Sequence, residues 1–217
     1  MIEISNFSKK YNKKTIINSS SFKINKNKIS FFMGSNGSGK TTLIKCIMGL
    51  ESYSGNILFN DKKNNCLVLW DDCPFYTNLS GLKNLILFSE GKKTKKSIIE
   101  LSLKYLDNDL LNRKVKNYSY GQKKKLALAL VEILEPDYLI MDEISNGLDY
   151  DTIRFLKQQI KKWSTKTTIL LTGHQFDFYN EIIDDIFIFK NNKIIYLDTK
   201  NTNGKINLEE IYDKELH

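Results

Sequence analysis

The stretch Gly34-Ser35-Asn36-Gly37-Ser38-Gly39-Lys40-Thr41-Thr42 separates two apolar segments of the chain. The segment before it, Ile29-Ser30-Phe31-Phe32-Met33, is short and apolar, as in a buried β-strand. The segment after it, Leu43-Ile44-Lys45-Cys46-Ile47-Met48, has its apolar residues at helical spacing. The glycines between the two favour a tight loop, because glycine adopts backbone angles that other residues avoid. The stretch therefore predicts a strand, a glycine loop and a helix in succession.

This glycine loop satisfies the P-loop pattern, in which a glycine is followed after four residues by Gly-Lys-Thr. The glycines let backbone N–H groups point at phosphates, and the helix that follows presents its positive dipole end to the same anion. Lys40 is expected to reach the β- and γ-phosphates, and the Thr41 hydroxyl is a suitable ligand for Mg²⁺. The alternative explanation of this stretch is an ordinary Gly/Ser turn. Such a turn does not require the full pattern, so the P-loop is favoured. The predicted phosphate-binding residues are Gly34, Ser35, Asn36, Gly37, Ser38, Gly39, Lys40, Thr41 and Thr42.

Composition narrows the class of protein. The 217 residues are 41% hydrophobic, which suits one domain with a sizeable core. The formal net charge of +8 admits nucleic acid or an anionic membrane as a partner, but arginine, the usual reader of bases, occurs only at Arg113 and Arg154. Solvated lysine faces are the favoured explanation, and no nucleic-acid partner is expected. Since the chain has neither an apolar run of membrane-spanning length nor a signal-peptide layout, a cytoplasmic location is expected.

Apolar patterning along the chain predicts an α/β fold with a mostly parallel sheet, an N-terminal antiparallel β-subdomain and an inserted helical subdomain. We expect one domain, 1–217, with a nucleotide-binding lobe (1–75 and 136–200), a helical lobe (76–135) and a tail (201–217) that holds a short amphipathic helix at most. The predicted strands are 2–7 and 15–24, which form a hairpin with Tyr11 in its turn, then 29–33, 55–61 with its turn, 66–70, 138–141, 168–171 and the hairpin 187–196. The predicted helical segments are 43–48, 80–106, 121–134 and 150–163.

Two acids, Asp142 and Glu143, follow the apolar strand 138–141, at the end where an open α/β sheet binds its ligand. Asp142 is suited to hold Mg²⁺, and Glu143 to orient and deprotonate the water that attacks the γ-phosphate. Acids that only cap the next helix are the alternative, which the upstream glycine loop disfavours. His174, one of two histidines in the chain, follows the strand 168–171, and a contact from its ring to the same phosphates is geometrically reasonable.

A second anion site is predicted where Ser119, Gly121 and Gln122 open the lysine-rich helix 121–134. Taken alone, an N-cap by Ser119 is the favoured explanation of this segment. Tyr11 lies in the first hairpin without an apolar period to bury it, so stacking on a flat ligand such as adenine and an ordinary turn aromatic are evenly matched.

Together these motifs resemble the nucleotide-binding subunit of ABC transporters, from about Ile2 to Leu197. The resemblance implies a P-loop NTPase core that binds ATP and Mg²⁺, with Glu143 as catalytic glutamate and His174 as switch histidine. It assigns Tyr11 to adenine stacking and the segment 145–149 to a loop that crosses between subunits. It also implies a head-to-tail dimer, homomeric or heteromeric, in which Ser119, Gly121 and Gln122 face the ATP of the partner. The ATP-hydrolysing chain then works through separate transmembrane subunits, docked between the loop 71–76 and the helices 80–106.

The chain departs from the family pattern at two places. The segment 119–122 matches the signature motif of the family. Tyr118 and Tyr120 replace the residues that usually flank the serine of this motif, whereas Ser119 and Gly121 are intact. Alignment of the loop before residue 76 places Asp71 where the family has a glutamine. A carboxylate oxygen suits Mg²⁺ at least as well as an amide oxygen, so we expect Asp71 to be a metal ligand beside Thr41 and Asp142.

The short chain resembles ATPases of small bacterial exporters, including those for peptides and bacteriocin self-protection. The resemblance therefore implies a transporter ATPase that is located peripherally at the inner face of the cell membrane. One alternative is a soluble ABC ATPase that acts on nucleic acid or ribosomes, which only the basic charge supports. Another is a nucleotide-dependent docking module that does not hydrolyse ATP, which Asp71 suggests and the intact catalytic residues disfavour.

Overall fold

Nine strands in two sheets form the framework of the computed structural model, which describes residues 1–60, 65–197 and 206–216. The strands are β1 Ile2–Tyr11, β2 Lys14–Ile24, β3 Ile29–Met33, β4 Ser54–Phe59, β5 Cys66–Leu69, β6 Tyr138–Asp142, β7 Thr168–Thr172, β8 Asp185–Lys190 and β9 Lys193–Leu197. The helices are α1 Lys40–Ile47, α2 Gly81–Phe88, α3 Lys95–Ser102, α4 Asn108–Asn112, α5 Tyr120–Leu134, α6 Tyr150–Ser164, α7 Phe176–Tyr179 and α8 Leu208–Leu216.

The larger sheet has six strands in the order β5-β6-β7-β3-β8-β9 among the described residues. Its neighbours pair in parallel except for the antiparallel pair β8 and β9. Strands β3 and β7 are buried at every position, as expected for short apolar strands covered on both faces. Because β6, β7 and β3 are neighbours, their carboxyl ends lie side by side at one edge of the sheet. The predicted α/β fold with a mostly parallel sheet is confirmed.

The smaller sheet is antiparallel, with the order β2-β1-β4. It confirms the predicted N-terminal β-subdomain, but the first hairpin is longer than predicted. Tyr11 pairs with Lys14 and is the last residue of β1, so it does not lie in the turn. Asn12 takes a left-handed backbone conformation, with a φ of 52°, which permits this tight connection.

The predicted helical insertion lies between β5 and β6 and comprises α2 to α5. It is divided more finely than the predicted segment 80–106, because Glu90 and Gly91 both have positive φ and interrupt the helix. The four helices begin at side-chain N-caps, which are Ser80, Thr94, Asp107 and Ser119. Helix α5 ends as predicted before Pro136, with Glu135 in the left-handed region.

Two apolar cores cover the two faces of the large sheet. Adjacent residues of β3 alternate between them: Phe31 and Met33 pack in the core shared with the helical insertion, and Phe32 packs toward α1 and the small sheet. In the part of the chain that the structure describes, no helix has the length and apolarity to cross a membrane.

The remaining predicted elements are present with small changes. The segment 55–61 overlaps β4, which begins one residue earlier, and Asp61 lies outside the described residues. The segment 187–196 is a hairpin of β8 and β9 that turns at Asn191 and Asn192. In the tail, α8 confirms a short helix, while residues 201–205 and 217 lie outside the described ranges. The division into lobes at residues 76 and 135 stays a prediction.

Candidate functional site

The glycine loop connects β3 to α1 and is narrow on its inner side. A Cβ on Gly34 would lie 2.6 Å from the Ser38 Oγ atom and 2.9 Å from the Phe189 Cβ atom, so only glycine fits there. Gly39, the N-cap of α1, has a φ of 109°, which strains any residue with a side chain. The Ser38 Oγ atom is buried and has no hydrogen-bond partner among the described residues. A buried hydroxyl without a partner inside a glycine loop fits an anion such as a phosphate.

Lys40 begins α1, and its side chain turns back across the loop. Its Nζ atom donates to the Gly34 carbonyl oxygen at 2.6 Å and to the Ser35 carbonyl oxygen at 3.1 Å. Burial lowers the pKa of Lys40, and the nearby carboxylates of Glu143 and Asp142 oppose that shift. The ammonium group is thereby held inside the loop, next to both acids predicted from the sequence.

Thr41 and Asp142 face each other across the edge of the sheet. The Thr41 hydroxyl donates to Oδ2 of Asp142 at 3.2 Å, and the Thr172 hydroxyl donates to Oδ1 at 2.5 Å. The backbone pairing of β6 with β7 sets this register, since Asp142 is opposite Thr172. A hydroxyl and a carboxylate at this distance are the hard oxygen donors that Mg²⁺ prefers. The donor set of Thr41 and Asp142 therefore fits the predicted metal.

Glu143 follows β6 in a left-handed backbone conformation, with a φ of 54°. Such a conformation is costly for a residue with a side chain and persists only where its surroundings hold it. The Glu143 amide donates to the Thr172 carbonyl oxygen at 3.2 Å, and the Asn146 side-chain amide donates to Oε2 of Glu143 at 2.7 Å. The carboxylate is therefore held in one orientation beside the glycine loop.

His174 links the acid to the loop. Its Nε2 atom lies 3.1 Å from Oδ1 of Asn36 and 3.6 Å from Oε1 of Glu143. Residues from three strand ends, Asn36 after β3, Glu143 after β6 and His174 after β7, thus meet at one place. The proximity predicted for Glu143, His174 and the glycine loop is present in the structure.

Tyr11 is 40% exposed at the end of β1, and the Nζ atom of Lys9 lies 4.4 Å from the centre of its ring. The next strand borders the glycine loop: Lys14 and Ile16 line a cavity of about 280 Å³ together with Ser35. An exposed ring on a hairpin beside the loop is compatible with adenine stacking, which stays a prediction.

The signature segment, residues 119–122, makes no hydrogen bond to residues 34–42 among the described residues. Ser119 caps α5: its hydroxyl accepts from the Gln122 amide at 3.2 Å, and the Gln122 Oε1 atom accepts from the Ser119 amide at 2.8 Å. Ser119 is thus an N-cap, and its exposed helix start, with Gly121, remains available to a second molecule.

Sequence reasoning missed the roles of two residues of α5, Tyr120 and Lys124. The hydroxyl of Tyr120 donates to the Asp71 carboxylate, and the Lys124 Nζ atom donates to the same Asp71 Oδ1 atom at 3.0 Å. The predicted role of Asp71 as a metal ligand stays a prediction, and Lys124 competes for that carboxylate. The signal was present in the sequence, because both Tyr120 and Asp71 depart from the family pattern.

Comparisons with known proteins agree with this geometry. A model of the ABC transporter family matches residues 17–146. The lantibiotic transport ATP-binding protein SrtF of Streptococcus pyogenes is 31% identical over 225 residues, covering 100% of this chain and 97% of SrtF. The bacitracin transport ATP-binding protein BcrA of Enterococcus faecalis is 31% identical, covering 100% of this chain and 71% of BcrA.

Solved structures share the fold at lower sequence identity. The structure of an ATP-binding subunit of an ABC transporter has a TM-score of 0.85 and 21% identity, covering 99% of this chain and 98% of its own. The dimeric structure of a bacterial ABC transporter cassette has a TM-score of 0.79 and 20% identity, covering 89% and 96% of the two chains.

Proposed function

The chain belongs to the ABC transporter family and is an ATP-hydrolysing subunit of that family, and on this premise we propose that it powers a small bacterial exporter through separate membrane subunits. The catalytic part of this proposal depends on one observation. Asn36, Glu143 and His174 lie close together beside the pair of Thr41 and Asp142. This arrangement supplies a phosphate loop, a metal site and a base at one edge of the sheet.

Each residue then has a defined role in hydrolysis. The loop 34–42 binds the phosphates through its backbone, and the Lys40 ammonium faces the β- and γ-phosphates. Thr41 and Asp142 hold Mg²⁺, which when bound supplies positive charge to the phosphate oxygens. Glu143 accepts the proton of the attacking water, and His174 keeps the side chains of Glu143 and Asn36 next to each other. Tyr11 stacks on the adenine.

A second copy or a related chain completes the site. We assign Ser119, Gly121 and Gln122 to the face that meets the ATP bound by the partner, because the start of α5 presents backbone N–H groups to an anion. The dimeric cassette of similar fold supports this assembly.

The cargo is proposed from the relatives, whose names describe transport of a lantibiotic and of bacitracin. We propose a peptide antibiotic as the exported substrate, with the chain located peripherally at the inner face of the membrane. Exposed side chains beside the loop 71–76, Tyr76 and Leu87, offer an apolar surface to membrane subunits.

Lys40→Ala tests this proposal at two levels. The change removes the charge that faces the phosphates, so the ATP affinity measured by calorimetry should fall roughly thirtyfold, as for the loss of one buried charge-assisted contact. Cells that carry Lys40→Ala in place of the native chain should retain more lantibiotic and stop growing at lower doses. Lys45→Ala, which removes an exposed lysine from the same helix, is the matched control.

The assignment of the loop and the proposed cargo can be contradicted separately. Unchanged ATP affinity of Lys40→Ala would contradict the assignment of the loop. Reduced affinity with unchanged sensitivity both to a lantibiotic and to bacitracin would contradict the cargo alone. Recovery of the chain with ribosomes rather than with membranes would favour the alternative class of ABC ATPase.

A further inference from the structure

Lys124, on the second turn of α5, has a fully buried side chain, with 0% of its surface exposed. Its Nζ atom lies 3.0 Å from Asp71 Oδ1, 3.3 Å from the carbonyl oxygen of Glu143 and 5.0 Å from the centre of the Tyr120 ring. A buried ammonium is costly unless charges and dipoles compensate it. These partners show which groups compensate the charge of Lys124.

Asp71 is the charged partner, and its side chain is 48% exposed. Its Oδ1 atom accepts from the Tyr120 hydroxyl and from the Lys124 Nζ atom, so both groups converge on one carboxylate oxygen. The Tyr120 hydroxyl also lies 3.0 Å from the Asp71 carbonyl oxygen, so it contacts both the carboxylate and the backbone of Asp71 and thereby orients this side chain.

The second partner of Lys124 belongs to the catalytic loop. The Glu143 carbonyl oxygen accepts from the Asn146 amide at 3.2 Å within the turn and from Lys124 at 3.3 Å from outside it. Glu143 needs such support because its backbone is left-handed. Tyr120 also packs on this loop: a Cβ on Gly147 would lie 2.6 Å from a carbon of its ring. Helix α5 therefore holds the loop 143–147 at two points.

From these contacts we infer that Lys124 is a positioning residue for Glu143, and that Asp71 and Tyr120 fix its ammonium against the Glu143 carbonyl oxygen. The inference rests on the proposed role of Glu143 as the base. It explains why the departures at Asp71 and Tyr120 occur together, since each contributes to the same cation. Through this cation, the loop that begins at Asp71 restrains the loop that carries the base.

The test compares Lys124→Met with Lys123→Met in the full 217-residue chain. Methionine has nearly the shape of lysine but cannot donate to the carbonyl, and Lys123→Met removes a charge from the neighbouring, half-buried position of the same helix. Lys124→Met should lower kcat about tenfold and leave the KM for ATP within about twofold of wild type, because it disturbs the base and not the phosphate loop. Lys123→Met should leave both parameters near wild type.

Amide hydrogen exchange supplies a readout that does not depend on hydrolysis. In Lys124→Met the amides of residues 143–148 should exchange about tenfold faster, while those of β3 and β7 keep their protection, which also shows that the variant is folded. Lys124→Gln, whose side-chain amide still donates a hydrogen bond, should lie between wild type and Lys124→Met in both kcat and exchange.

The outcomes separate the inference from the proposed function. Wild-type exchange rates over residues 143–148 in Lys124→Met would overturn the inference, whatever the activity. Normal kcat in that variant, with an active wild type, would also overturn it. If wild-type protein binds ATP without hydrolysing it, the proposed role of Glu143 fails, and faster exchange in Lys124→Met still supports Lys124 as the residue that holds the loop.

Discussion

The glycine loop and the signature segment are both helix starts that we propose bind anions, but they are built differently. The glycine loop uses consecutive residues, and its shape depends on Gly34 and Gly39, which no other residue type replaces without a clash or strain. The signature segment combines a local cap, Ser119, with contacts from distant parts of the chain: Tyr120 reaches Asp71 and packs on Gly147.

This difference explains which departures from a family pattern a protein tolerates. A loop that binds through backbone N–H groups has little freedom in its residue types. In the signature segment, by contrast, Tyr120 faces another loop of the same chain. The residue type at this position can change if the residue that it contacts in that loop changes as well. Asp71 and Tyr120, two departures from the family pattern, contact each other, with Lys124 buried beneath them.

The largest effect is expected from Glu143→Gln, which leaves both anion sites intact and removes only the base. The amide preserves the shape of the side chain but accepts no proton, so turnover should fall about a thousandfold while ATP binding persists. With hydrolysis blocked, light scattering should show an ATP-dependent dimer. Glu100→Gln, an exposed change on α3, is the control. Hydrolysis at the wild-type rate would remove Glu143 from its role.

A smaller effect should separate the signature segment from the glycine loop. Ser119→Arg places a long cation where two subunits pack, and an unpaired interfacial charge costs about 3 kcal/mol, or about a hundredfold in dimer affinity. ATP binding by the single chain should persist. Thr94→Arg removes an equivalent N-cap from α3, and its measured loss of stability shows how much of the effect comes from capping alone. Normal ATP-driven dimerisation of Ser119→Arg would refute the two-surface arrangement.

Local pattern was sufficient to predict most of the fold and the position of the glycine loop. The apolar runs that became β3, β6 and β7 placed the loop 34–42, Asp142 and His174 at one sheet edge, because parallel strands bring their carboxyl ends together. The end of α5 was also predictable, since Pro136 follows it. The length of the first hairpin was not, because it depends on cross-strand pairing between Tyr11 and Lys14.

The environment of Asp71 was beyond prediction from local pattern. The sequence showed that Asp71 and Tyr120 are unusual, but not that they touch, since 49 positions separate them. Lys124 is one of three consecutive lysines, and helical periodicity alone did not identify it as the buried member. Contacts between segments that are far apart in the sequence follow from tertiary packing, which residue spacing does not encode.

The smallest effect is expected from Asp71→Gln, and it distinguishes two roles for this carboxylate. A magnesium ligand contributes to metal affinity, so its loss should raise the Mg²⁺ concentration at half-maximal ATPase rate roughly fivefold. A partner of Lys124 contributes to the position of Glu143, so its loss should lower the maximal rate and leave the Mg²⁺ dependence unchanged. The measurement is a Mg²⁺ titration of ATPase rate, with Asp72→Asn at the neighbouring exposed position as control.

In the geometry of this structure we expect the second result. Both Tyr120 and Lys124 already donate to Oδ1 of the Asp71 carboxylate, so a metal bound to this carboxylate would weaken its pairing with a buried cation. The decrease in rate should be about threefold, less than for Lys124→Met, because the longer, neutral glutamine side chain loses the charge but keeps an oxygen that can accept from Lys124. A shifted Mg²⁺ midpoint with an unchanged maximal rate would instead show that Asp71 leaves Lys124 for the metal during turnover.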